Sequence, residues 1–166
     1  TPQYMFYQGD SVAVAPLVGI ADPNNGAVQF VVRSANTALV NLNAGAFLTT
    51  NWVHLALVWL AVEKSVRGYV NGVQVGGVTN ANANDTTYSI ASFGNFRRLN
   101  NNLFGGNISD VRIWNVARTP AEIQANYTNR LTGTEPGLVG YWPLTGTTSP
   151  IDTGPFNLDN PIIHPT

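Results

Sequence analysis

Three glutamates, six aspartates and two histidines are all the acid–base chemistry this chain offers. Sugar hydrolysis needs two carboxyl groups facing one ring, an acid and a base or nucleophile. No Glu stands two residues from an Asp, so no strand presents such a pair on one face. Glu122 reads as part of a helix cap and Glu63 as part of a hairpin turn. His54 sits in a strand pattern and His164 near the terminus. No nucleophile elbow accompanies either, so a Ser–His–Asp site has no scaffold. Cysteine is absent, which excludes a disulfide framework and a thiolate nucleophile, and two His alone make no zinc pattern. The paired glycines in "VGGV" and "FGGN" are turn or packing residues, because no phosphate-loop lysine follows them. The expectation is a protein that is not an enzyme.

Binding chemistry is better supplied. Calcium takes six to eight oxygens, often from loop carboxylates, Asn and backbone carbonyls. Asp10, Asp22, Asp85 and Asp152 stand in loop contexts, without a ligand ladder in any one loop. Asp10 and Asp152 are the candidate metal ligands, with Ca2+ as the ion and no other cofactor expected. Carbohydrate needs an aromatic face with amide or carboxylate partners. Trp52, Trp59, Trp114 and Trp142 are available, but at least Trp59 and Trp142 read as core. The exposed candidates are Tyr88 beside Asn84 and Asp85 in "NANANDTT", and Arg97, Asn100 and Asn101 in "RRLNNN".

The surface around them is neutral. Only 10% of the 166 residues are charged, the net charge is -1, and Asn is the commonest residue. Electrostatic capture of nucleic acid or an anionic membrane is therefore not expected. A 44% hydrophobic content is that of a folded domain, and no apolar run is long enough for a membrane helix.

The elements that must position these residues are mostly strands. "AVQFVVR" (Ala27–Arg33), "TALVNL" (Thr37–Leu42), "VHLALVWL" (Val53–Leu60), "VRGYV" (Val66–Val70), "VQVGGV" (Val73–Val78), "YSIASF" (Tyr88–Phe93), "ISDVRIW" (Ile108–Trp114) and "GLVGYWPL" (Gly137–Leu144) are rich in β-branched and aromatic residues. Asn71-Gly72 joins two of them in a tight primed turn, since both central positions need φ > 0. "ADPNNG" (Ala21–Gly26) reads as a loop. In Val53–Leu60, alternation places Val53, Leu55, Leu57 and Trp59 on one face. His54, Ala56, Val58 and Leu60 share the other, which is also mostly apolar. That predicts a central strand whose second face is covered by loops, a ligand or a partner chain.

One short helix is expected at about 119–130. Thr119-Pro120-Ala121-Glu122 is a capping box with Pro at the first helical position. Ile123 and Tyr127 form its apolar stripe. A helix this short must pack on something, and a sheet edge or sandwich end is the expected seat. On the strand before it, Asp110 and Arg112 share a face. They read as an ion pair that keeps that face soluble, with Asp110 as a metal carboxylate the sharper alternative.

Four stretches, in order, carry a family resemblance. "NWVHLALVW", "RGYVNGVQVG", "GGNISDVRIWNVARTPAEIQANY" and "GLVGYWPL" followed by Asp152-Thr153-Gly154 resemble laminin-G-like and pentraxin-like jelly rolls of the concanavalin A-like lectin/glucanase superfamily. The resemblance covers Asn51 to Gly154. It implies an all-β fold, an antiparallel two-sheet jelly-roll sandwich with one short C-terminal helix. It also implies a single domain over 1–166. Glycanases of that superfamily carry Glu-x-Asp-x-x-Glu on one strand, which this chain lacks. Two departures stand out. Ser109 replaces a usual Asp, with Asp110 at a usual Glu, which weakens the calcium site that related jelly rolls place there. The usual opening strand is not found upstream of "YMFYQGD" (Tyr4–Asp10). Either the C-terminal strand fills its place, the sheet lacks it, or it belongs to a longer chain.

The combined expectation is a non-catalytic extracellular or cell-surface recognition and adhesion module. It would bind glycan or a protein surface through loops of the sandwich. The alternative is a structural subunit of a cell-surface or filamentous assembly, self-associating by strand complementation and through the apolar face near Val58 and Leu60.

Overall fold

The computed structural model describes residues 3–9, 18–22, 27–34, 37–46, 51–79, 90–93 and 104–144. Among these residues, ten strands and one helix follow in order: β1 (Gln3–Gly9), β2 (Val18–Asp22), β3 (Ala27–Ser34), β4 (Thr37–Ala46), β5 (Leu55–Leu60), β6 (Ser65–Val70), β7 (Val73–Thr79), β8 (Ile90–Phe93), β9 (Val111–Trp114), α1 (Pro120–Asn126) and β10 (Leu138–Trp142). All described strand pairs are antiparallel. They form a five-stranded sheet in the order β4-β3-β2-β1-β8, a three-stranded sheet β5-β6-β7 and a β9-β10 pair. β2 includes Ala21 and Asp22, the first two residues of the stretch expected to be a loop; the rest of that stretch lies outside the described residues.

The two larger sheets stack with β3 and β4 facing β6 and β7. Close approach is permitted by glycine. A Cβ on Gly68 would lie 2.6 Å from the Phe30 ring, and one on Gly76 would lie 2.7 Å from Leu42. Phe30 is fully buried in that seam. Beside it Val32 of β3 meets Val66 of β6, with Leu57, Trp59 and Val78 packed around them. The alternation read in β5 therefore holds, with Leu57 and Trp59 on the inner face.

Its other face differs from expectation. β5 pairs with β6 alone among the described strands, at the end of its sheet rather than its centre. Val58 and Tyr69 on the outer face are buried against Ile123 of α1, with Ala56 and Leu60 alongside. The cover is thus the chain's own helix, lying across the sheet's face and not on its edge. Amphipathic burial of Ile123 is what stabilises a helix of two turns, which propensity alone could not.

The local signals behave as their chemistry dictates. Asn71 and Gly72 both have positive φ, 48° and 78°, and close the β6–β7 hairpin. Thr119 caps α1: its Oγ1 accepts from the Glu122 N–H at 3.3 Å, and Glu122 Oε2 accepts from the Thr119 N–H at 2.8 Å. The helix stops at Asn126, short of the expected 130. The Asn126 and Asn129 side-chain amides donate back to the Glu122 and Ala125 carbonyls, which competes with further helical turns. β9 starts at Val111, later than expected, because Asp110 has φ of 58°, a left-handed conformation that cannot continue an extended strand.

Candidate functional site

Beneath the C-terminal end of α1 lies a polar cluster built by four elements. β9 contributes Arg112 and the residue before it, Asp110. β10 contributes Tyr141. The segment leading into β5 contributes His54, and the turn after α1 contributes Tyr127. Arg112 is the centre. Its side chain is 9% exposed and Asp110's is 29%. The guanidinium donates to the Asp110 carboxylate and to the carbonyls of Asn126, at 2.9 Å, and Asn129. The Asn126 carbonyl is among the last of the helix, where acceptors lack helical partners; it also accepts from the Asn129 N–H at 3.2 Å, and the Asn129 carbonyl belongs to the turn that follows. α1 carries no basic residue in its last turn, so Arg112 supplies the positive charge that the end of the helix favours. The pair read as a solubilising surface contact is instead a nearly buried clamp between β9 and the helix.

Asp110 is held from several sides. Its N–H donates to the Pro143 carbonyl at 3.2 Å, and the Ser109 hydroxyl donates to the same carbonyl at 2.8 Å. The Tyr141 hydroxyl accepts from the Leu131 N–H at 3.3 Å. Burial and the Asp110 carboxylate push the Tyr141 hydroxyl above its usual range. His54 packs its ring against Tyr127, 6.0 Å between centroids. Burial and the nearby Arg112 lower its pKa, with Asp110 acting against them. Three buried atoms here, His54 Nδ1, Asp110 Oδ1 and Arg112 Nε, have no hydrogen-bond partner within the protein. The set joins strand to helix; it holds a single carboxylate, and that carboxylate is neutralised by Arg112.

The glutamates have structural partners too. Glu63 accepts from Arg67 at 2.8 Å and from the Ser65 hydroxyl at 3.3 Å in the β5–β6 turn. Glu122 belongs to the cap and to an ion pair with Arg118 at 3.1 Å, and those contacts lower its pKa, Thr119 foremost. Burial pushes the Glu135 carboxyl up, but the Thr132 and Gly133 N–H groups outweigh it and hold the carboxyl below its usual range. All three Glu residues of the chain are accounted for in this way.

The residues expected to bind ligand, Asn84, Asp85, Tyr88, Arg97, Asn100 and Asn101, lie outside the described residues, as do Asp10 and Asp152. Among the described residues, no three His, Asp or Glu side chains converge as a metal site would require. β7 ends at Thr79, which pairs with Ser65.

The four tryptophans separate clearly. Trp142 is buried. Trp59 packs on the inner core. Trp114 is half-buried beneath the Arg118 guanidinium, 4.3 Å from its ring centroid. Trp52 stands 68% exposed. The sequence left Trp52 among the available aromatic faces, and the structure puts it in solvent.

The described fold is thus a two-sheet antiparallel sandwich with a capped helix across one outer face. Residues 2–124 match the Laminin_G_3 family model of the concanavalin A-like lectin/glucanases superfamily. The chain belongs to this superfamily. The match begins well upstream of the motifs that suggested it and stops within α1. A comparison with curated proteins returned no match. Among solved structures, the superfamily member is similar to a crystal structure from Bacteroides ovatus ATCC 8483 of a candidate carbohydrate-binding protein, with a TM-score of 0.65 and 20% sequence identity. The similarity covers 91% of this chain and 44% of that one. At that identity it speaks for the fold, and the chain spans less than half the length of that neighbour.

Proposed function

We propose that this chain is a non-catalytic carbohydrate-binding module. The observation that carries the reading is a lectin-type sandwich whose glutamates are all engaged in turns, a cap and ion pairs. A glycosidase would need two of its carboxyl groups to face one sugar. The description of the Bacteroides ovatus neighbour supports the same direction. Binding would use the loops that hold Asn84, Asp85, Tyr88, Arg97, Asn100 and Asn101. Amide and phenol groups there suit neutral hydroxyl-rich ligands, and the near-uncharged composition makes the contact insensitive to salt. We place the module at a cell surface or outside the cell, as one domain over 1–166. Calcium at Asp10 and Asp152 belongs to the same proposal: millimolar calcium would raise the melting temperature and EDTA would reverse the gain, whereas unmoved melting retires the ion.

The deciding experiment is a glycan array with the purified chain, followed by a reducing-sugar assay on every glycan retained. Retention without release of reducing ends is the expected result. Release of reducing ends would overturn the non-catalytic reading, and an empty array would overturn the binding reading. Self-association by strand complementation would make the chain polymerise in size-exclusion chromatography. The apolar face first suggested for it is covered at Val58 by the chain's own Ile123.

A further inference from the structure

We propose that Trp52 and the Asn71-Gly72 turn form a second, separate sugar-stacking platform for one neutral pyranose ring. The inference rests on the carbohydrate-binding reading but uses other residues. A side chain this large is ordinarily buried for most of its area. Trp52 is 68% exposed, and Val73 across the turn is 59% exposed. The exposed indole is not held by a loose strand. Two residues on, the His54 N–H donates to Asn71 Oδ1 at 2.9 Å and the His54 carbonyl accepts from the Asn71 N–H at 2.9 Å. The turn itself is braced from the helix side, since a Cβ on Gly72 would lie 2.7 Å from the Tyr127 ring and 3.2 Å from Gln124 Oε1.

The chemistry around the ring selects the ligand. Asn51, Asn71 and Gln124 are exposed amides at this end. The bond from His54 occupies Asn71 Oδ1 and so orients its Nδ2 donor. An aromatic face with placed amides and no net charge fits a ligand that shows C–H groups on one side and hydroxyls at its rim. A pyranose does so, and one indole is about one such ring wide. A charged partner would find no counter-charge in these amides, and an extended protein surface would need a larger apolar patch than one ring and a valine. The platform sits at the Asn71-Gly72 end of the β5–β6–β7 sheet.

Affinity electrophoresis through gels containing a soluble neutral mannan, β-glucan or galactan tests this, with tryptophan emission as the second readout. Trp52→Ala is expected to weaken retention by the best polysaccharide at least tenfold, which corresponds to about 1.4 kcal/mol, at an unchanged melting temperature. Trp52→Phe should keep part of the retention. The ligand should shift the emission of the wild type and leave that of Trp52→Phe unmoved. Wild-type retention by Trp52→Ala, with retention lost in Asn100→Ala/Asn101→Ala, overturns the platform and leaves the loop site standing. Retention of the wild type by no polysaccharide overturns the platform and the carbohydrate reading together.

Discussion

Arg112→Ala should be the most damaging single change to the described structure outside the core. The guanidinium makes charge-assisted hydrogen bonds to the carbonyl of Asn126 at the helix end, to that of Asn129 in the following turn, and to Asp110. Bonds to charged groups contribute about 1.5–3 kcal/mol each, but they share one side chain and do not add. Breaking a buried ion pair costs about 3–5 kcal/mol when the remaining charge stays dry. Asp110 is 29% exposed, so water recovers part of that, and about 2–4 kcal/mol is the reasoned loss. Equilibrium urea unfolding, followed by far-UV circular dichroism, would read it. With a slope of about 2 kcal/mol per molar urea, the midpoint should fall by about 1–2 M. Arg112→Lys keeps a charge but not the planar fork that reaches several acceptors, and should lose about half as much. A loss below about 0.5 kcal/mol in Arg112→Ala, typical of an exposed pair, would refute the clamp and restore the solubilising reading.

Other changes test neighbouring parts. Thr119→Ala removes the cap on α1 and should cost about 1 kcal/mol in the same urea assay; an unmoved midpoint would reject the capping geometry. Gly68→Ala drives a methyl into Phe30 and Leu42, and overpacking of this kind costs about 1–3 kcal/mol, visible as a lower melting temperature. Stability should also fall below pH 6.5. His54 has a folded pKa below its unfolded value of about 6.5, because burial and Arg112 disfavour the imidazolium and Asp110 only partly offsets them. The unfolded chain then binds the proton first, so His54's contribution is complete above 6.5 and is lost as pH falls toward the folded value. His54→Gln should flatten that slope; an identical slope would place the titration elsewhere.

How much of this was legible in the sequence depends on the range of the interaction. Asn71-Gly72 and Thr119 to Glu122 act over a few residues, so residue type and spacing sufficed for the turn and the cap. The alternation in β5 is equally local, and it sorted inner from outer side chains correctly. What covers the outer face was not legible, because Ile123 reaches Val58 and Tyr69 through tertiary packing that no short window contains. Arg112 misled for the same reason. A charge two positions from an opposite charge on a strand reads as a surface pair, and only the docked helix end turns it into a clamp. Trp52 was one of four tryptophans open to a binding role by type, and only its exposure in the fold singles it out. The loop residues expected to contact ligand rest on residue type alone and lie outside the described residues.

β1, from the start of the chain, lies inside its sheet, with β2 on one side and β8 on the other. A ribosome must therefore deliver everything through Phe93 before that layer can close. Until then one border of β1 stays open to pairing with another nascent chain. Linking segments so distant along the chain also slows folding. Cells that make this protein at high rates should need a holding chaperone during that interval, and a fusion partner that folds early at the amino terminus should raise the soluble yield.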